Sequence, residues 1–246
     1  MSRRLALAAA LLVLGAWPVL AACPPPPAGQ PLPPEAVAAP LSWPEWRPPV
    51  DARTVRLRTA DLSRARIVFL GDSITQSWHP NVFQMFYGHR GALNLGISGD
   101  ATQSLLWRLE NGHWPASLRP DAIILLIGTN NIGSGGRPEH GALGVGRIIE
   151  RLQRLAPQAR IVLIGVLPRG IQPNDPMRPP IARLNQLLAA CGDNRRVIYS
   201  EPGQLMLDGQ GVLHDWVAFD WLHLTMTGYA ILASAIEGHL RLALQR

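Results

Sequence analysis

The sequence predicts an α/β fold, a parallel sheet of five strands with helices on both faces, and two observations carry that expectation. Five short runs, 66–70, 92–95, 122–127, 161–166 and 197–199, are apolar almost throughout instead of alternating with polar residues. Such runs suit strands that are covered on both sides. The stretches 102–110, 143–155, 181–190 and 227–242 have the apolar spacing of amphipathic helices. Strands that alternate with helices form crossover units, and crossovers lay helices over both faces of a parallel sheet.

With 246 residues, 47% hydrophobic and 16% charged, the chain suits one domain of ordinary size plus some non-globular sequence. The net charge is +6, and all 23 basic residues are arginine. They are scattered, with no stripe and no recognised binding motif, which argues against nucleic acid as a partner. Two cysteines, Cys23 and Cys191, argue against a disulfide framework and fit no zinc spacing. Cys191 reads as a small buried residue.

The chain divides into three. Segment 1–22 has Arg3 and Arg4, an apolar run from Leu5 to Leu20 and a small-residue end, the layout of a secretory signal. Its ending, Leu20-Ala21-Ala22-Cys23, resembles a bacterial lipobox. That assigns lipid attachment to Cys23, a membrane contact through the lipid, and a place in the bacterial envelope on the periplasmic face of the outer membrane. Segment 23–51 runs from Pro24-Pro25-Pro26-Pro27 to Pro48-Pro49. It reads as an extended stalk, with Trp43 and Trp46 available to dock on the domain or on lipid. Segment 52–246 is the globular domain.

Candidate chemistry gathers past the carboxyl ends of the first three strands, where ligands bind in such sheets. Gly71-Asp72-Ser73-Ile74-Thr75 follows the first, Gly99 the second and Asn130 the third. A serine hydroxyl is a weak nucleophile until a base takes its proton. Asp220-Trp221-Leu222-His223 offers the base, His223, with Asp220 three residues earlier to hold its tautomer. The backbone N–H groups of Ser73 and Gly99, with the Asn130 side chain, are candidate donors to an oxyanion, each able to contribute about 3 kcal/mol in a transition state. This chemistry is that of a serine esterase and needs no metal and no cofactor. Gly133-Ser134-Gly135-Gly136 lacks the lysine and spacing of a phosphate loop and reads as a flexible loop beside Asn130. Trp78 and Phe83 are candidates either for a pocket wall or for the core. Taken singly, each motif also has a plain reading as turn, helix cap or packing residue; the case for catalysis is their conjunction.

That conjunction resembles the SGNH, or GDSL, hydrolase family, whose four marker residues match Ser73, Gly99, Asn130 and His223 in order. Gly71-Asp72-Ser73, Ile97-Ser98-Gly99-Asp100, Gly128-Thr129-Asn130-Asn131 and Asp220 to His223 look like its four blocks. Trp107-Arg108-Leu109-Glu110-Asn111-Gly112, Leu167-Pro168-Arg169-Gly170, Asn185-Gln186-Leu187-Leu188 and Leu222-His223-Leu224-Thr225 are most similar to the catalytic subunits of intracellular platelet-activating factor acetylhydrolase. The resemblance implies a three-layer, flavodoxin-like α/β/α sandwich and a serine esterase with catalytic Ser73, Asp220 and His223. It allows for an oligomer, since the acetylhydrolase subunits pair. Thr75 departs from the second glycine of the G-x-S-x-G elbow, and the signal and stalk depart from the acetylhydrolases. The expected substrate is a short acyl ester, acetyl foremost, with acetylated glycans as the natural candidates in an envelope. The alternatives are a lysophospholipase or thioesterase, and a non-catalytic glycan-binding lipoprotein.

Overall fold

Five parallel strands, β1 (Ile67–Gly71), β2 (Ala92–Asn94), β3 (Ala122–Leu126), β4 (Arg160–Ile164) and β5 (Val197–Ser200), form one sheet in the order β2-β1-β3-β4-β5. The structure is a computed structural model and describes residues 23, 25, 28–42 and 44–245. The register is continuous through the middle, with Val68 opposite Ile123 and Ile123 opposite Ile161. Side chains alternate between two cores. Val68, Leu70, Ile123, Leu125, Ile161 and Leu163 face one layer of helices; Ile67, Phe69, Ile124, Leu126, Val162 and Ile164 face the other. Both faces are covered, so β1 and β3 are apolar or glycine at every position and polar residues stand only toward the ends of the other strands.

The first layer holds α1 (Arg47–Thr59), α4 (Thr102–Glu110), α6 (Pro138–Leu155) and α7 (Arg178–Ala189). The second is built on α2 (Ser73–Gln76), α3 (Pro80–Tyr87) and α8 (Met226–Leu244). A further short helix, α5 (Thr129–Gly133), follows β3. The three-layer α/β/α arrangement is therefore as expected. Strand order reverses direction of growth at β1, whose neighbours are β2 on one side and β3 on the other. This switch point opens a crevice at the strands' carboxyl ends.

One glycine sets the geometry there. A β-carbon on Gly71, the last residue of β1, would collide with the Leu126 carbonyl oxygen and with Thr75 Oγ1. Only a bare backbone lets β1 turn into α2 while it remains paired with β3. Thr75, which departs from the glycine of other serine-hydrolase elbows, is buried against that bare carbon.

Two expectations about the N-terminal region are corrected. The stretch 23–51 is not an extended stalk over its described second half. Ala36 and Leu41 are buried, Thr102 Oγ1 donates to the Glu35 carbonyl (2.7 Å), Ala39 N donates to the Gln103 carbonyl (3.1 Å), and Glu35 meets His140 (3.4 Å). The apolar residues between the prolines give this strap a face to bury. The boundary at 51/52 falls inside α1, because Pro48 and Pro49 occupy its first turn, where N–H groups have no intrahelical acceptor to lose.

Cys23 and Cys191 are joined in a disulfide, contrary to the expectation of unpaired cysteines. Their separation of 168 residues left no local signal. Cys191 is buried, as expected. A sulfur so bonded has no thiolate to take up a lipid, so the disulfide and lipid attachment are alternative fates of the Cys23 sulfur. The signal segment 1–22, Trp43 and the side chain of Trp46 lie outside the described residues. Intact mass under non-reducing conditions should be lower by two hydrogens than after reduction. Free thiols on both cysteines, or a diacylglyceryl group on Cys23, would contradict the bond.

Candidate active site

The serine stands at the first position of α2. Asp72 caps that helix, its Oδ1 accepting from Ile74 N (3.0 Å), and this fixes the turn that lifts Ser73 out of β1. Below α2, Trp78 is buried and packs with Phe69, Phe83, Tyr87 and Tyr229, ring centroids 5.1 Å apart for Phe69 and Trp78. Trp78 and Phe83 are thus core and not a pocket wall. Tyr229, in the first turn of α8, donates to the Ile74 carbonyl (2.7 Å) and pins that helix to the serine's.

The segment before α8 carries the candidate base, His223. Asp220 Oδ1 accepts from the backbone N–H of Leu222 (3.1 Å) and His223 (2.7 Å), while Oδ2 meets His223 Nδ1 (2.7 Å). One carboxylate therefore shapes the loop and orients the imidazole. The ring's other nitrogen, Nε2, lies 2.9 Å from Ser73 Oγ across 150 residues of sequence. An antiparallel bridge between Ala218 and Leu224 closes the loop, and Phe219 stacks on His223 at 6.0 Å. Partial burial pushes the Asp220 carboxyl up, but the His223 ring and the two backbone donors outweigh it and hold it below its ordinary value. The aspartate is thereby kept ionised, as an imidazole orienter must be.

The expected donors converge on the same place. Gly99 has φ +80°, a left-handed conformation suited to glycine, and the N–H groups of Gly99 and Ser73 have no acceptor among the described residues. Asn130, in α5, donates one amide hydrogen to the Asp100 carbonyl (2.8 Å), which leaves the other free. Each of the five residues singled out in the sequence is placed at the carboxyl end of the sheet. The glycine-rich run beside Asn130 is tied down where a flexible loop was expected: Gly135 N donates to Ile132 and Gly136 N to Asn131. Among the described residues no group of three or more His, Cys, Asp or Glu could hold a metal ion.

Sequence reasoning missed the support behind the donors. Asp100 is fully buried and paired with Arg108, Nε to Oδ2 at 2.8 Å with Nη2 also in contact. Burial raises the Asp100 carboxyl and the guanidinium opposes that rise. Arg53 of α1 donates to the carbonyls of Gly96 and Asn94, bracing the loop that ends at Gly99. Thr102 N and Oγ1 bond Asn131 (3.0 and 3.1 Å), so the loops of Gly99 and Asn130 are laced together. The available signal was the pairing of Asp100 with an arginine two helical turns on.

A sequence profile of the GDSL-like lipase/acylhydrolase family matches residues 69–231. The chain belongs to that family. It is 38% identical over 178 residues to platelet-activating factor acetylhydrolase IB subunit alpha1 from Bos taurus, covering 71% of this chain and 74% of that one. A GDSL-like lipase from Bacteroides thetaiotaomicron has a similar fold, TM-score 0.65 at 21% identity over 81% of this chain and 98% of that one. So has an acetylxylan esterase from Geobacillus stearothermophilus, TM-score 0.57 at 18% identity over 74% and 95%. This GDSL hydrolase is a serine ester hydrolase.

Asp72, beside the serine, has an unusual titration. Burial, reinforced by the Asp100 charge and opposed by the bond from Ile74 N, pushes its carboxyl up to about 7, and Oδ2 has no partner. A raised carboxyl binds its proton more tightly folded than unfolded, so stability is lost as pH rises from about 4 through about 7. Asp72→Asn retains a capping oxygen and should flatten this dependence. The unfolding free energy from urea titration should fall between pH 5 and 8 in the native protein, by at most about 3 kcal/mol, and much less in the variant. Parallel pH profiles would contradict the assignment.

Proposed function

We propose that the enzyme hydrolyses short acyl esters, acetyl foremost, through an acyl-enzyme on Ser73. The observation that carries this reading is the Ser73 Oγ to His223 Nε2 contact of 2.9 Å with Asp220 Oδ2 on Nδ1 at 2.7 Å, set beside the free N–H groups of Ser73 and Gly99.

His223 takes the Ser73 proton as Oγ bonds to the ester carbonyl carbon. The carbonyl oxygen becomes an oxyanion that the N–H groups of Ser73 and Gly99 and the Asn130 amide receive. When it collapses, the alcohol leaves with the proton from imidazolium, and the acyl group stays on Oγ. Water then attacks, His223 again takes the proton, and the acid departs. Acetyl selectivity is supported by the names of the acetylhydrolase and acetylxylan esterase relatives. The signal-like segment 1–22 supports export, and a disulfide suits an oxidising compartment such as the periplasm. Acetylated envelope glycans are then the foremost natural substrates.

A lipid ester is the second reading. It is favoured by Trp216, Phe219 and Trp221, all exposed on the loop that carries His223.

Hydrolysis of p-nitrophenyl acetate, butyrate and longer esters should fall with chain length. Ser73→Ala should abolish it, and Asn130→Ala should lower kcat by about 10²–10³-fold. Rising activity with chain length would favour the lipid reading. No hydrolysis of any of these esters or of acetylated sugars by the folded enzyme would favour a glycan-binding protein or an acyltransferase.

A further inference from the structure

Leu167-Pro168-Arg169-Gly170, the segment after β4, has no place in the chemistry above, and its arginine is the exception among the basic residues around the site. Arg108 is spent on Asp100, Arg53 on the carbonyls of Asn94 and Gly96, and Arg178 on the carbonyls of Arg169 (2.7 Å) and Gly170 (2.8 Å). The guanidinium of Arg169 is half-buried and has no hydrogen-bond or ion-pair partner among the described residues. The nearby carboxylate, Asp175, lies against Gly170 and accepts from Met177 N (2.9 Å) without pairing with Arg169.

Its position is nevertheless built. The guanidinium lies on Gly133, where a β-carbon would collide with Nη1. Gly133 is the last residue of α5 and has no left-handed φ, so its backbone does not call for glycine. The space left by that absent side chain is the space the guanidinium uses. Gly133 is three residues after Asn130, on the same side of α5. On the other flank, Gly170 N donates to the Trp221 carbonyl (3.0 Å), between Asp220 and His223. Trp221 has φ +58°, a strained conformation for a bulky residue, and it places that carbonyl against the Arg169 loop. Arg178 thus fixes the backbone, Gly133 makes room for the cation beside the Asn130 helix, and the next residue of the same segment ties it to the His223 loop.

We propose that Arg169 determines substrate specificity by binding an anionic group, a carboxylate or a phosphate, on the alcohol part of the ester. The inference rests on the short-acyl esterase reading, because an acetyl group carries no charge and the anion must belong to the other half of the substrate. A planar guanidinium with free N–H groups receives either anion through two parallel hydrogen bonds.

The test compares matched esters: acetylated methyl glucuronide against acetylated methyl glucoside for the carboxylate, and acetylglycerol phosphate against acetylglycerol for the phosphate. In the native enzyme kcat/KM should favour the anionic member in at least one pair, and that arm names the anion. Arg169→Gln should lower the anionic-to-neutral ratio by about 10–100-fold, chiefly through KM. Arg169→Lys should restore part of it, and added salt should weaken it. If the neutral esters are hydrolysed but the ratio does not move in either pair, or both members fall together, the inference is overturned and the esterase reading stands. If native enzyme hydrolyses none of the four, the esterase reading falls and this inference with it.

Discussion

The site depends on a place where no side chain fits. Gly71 lets the end of β1 lie against the Leu126 carbonyl and Thr75, so the strand passes directly into α2 and Ser73 emerges at the crevice where the sheet changes its direction of growth. A similar close approach occurs at Gly228, where a β-carbon would strike the Val217 carbonyl. That contact holds the start of α8 against the loop that delivers His223. Backbone packed on backbone is rigid, and a serine and a histidine 150 residues apart stay in hydrogen-bonding register because each is attached to such a junction.

Behind Ser73 and His223, the protein holds several ionisable groups out of water. Asp100 and Arg108 form a buried pair whose members would each be costly alone. Their effect on the site is indirect: the Asp100 carbonyl orients Asn130. His113, close to the same pair, is pushed down to about 2 by burial and by the charges of Arg108 and Arg53, so it stays neutral and adds no third charge. Asp72 takes the other solution, holding a proton up to about pH 7. The Asp220–His223 pair, by contrast, is partly open to solvent.

Much of this was legible in the sequence. The strands could be read because both faces are covered, which makes 67–71, 122–126 and 161–164 apolar without alternation. Ser73, Gly99, Asn130, Asp220 and His223 could be read because each lies just past a strand or within one tight loop, where spacing and position coincide. What was hidden depends on distant contacts. The strap around Ala36 and Leu41 looks like a linker until α4 and α6 are there to receive it, and α1 is masked by two prolines that a first helical turn tolerates. Asp100 and Arg108, or Gly133 and Arg169, acquire meaning only when the chain is folded and one is found against the other.

The central claim is that Ser73 carries the acyl group, and peptide mass spectrometry after rapid acid quench with p-nitrophenyl acetate tests it directly. The account expects one acetyl group on Ser73, formed in a burst and absent from Ser73→Ala. Turnover with Ser73 unmodified, or acetyl found on another residue together with activity that survives in Ser73→Ala, would contradict it.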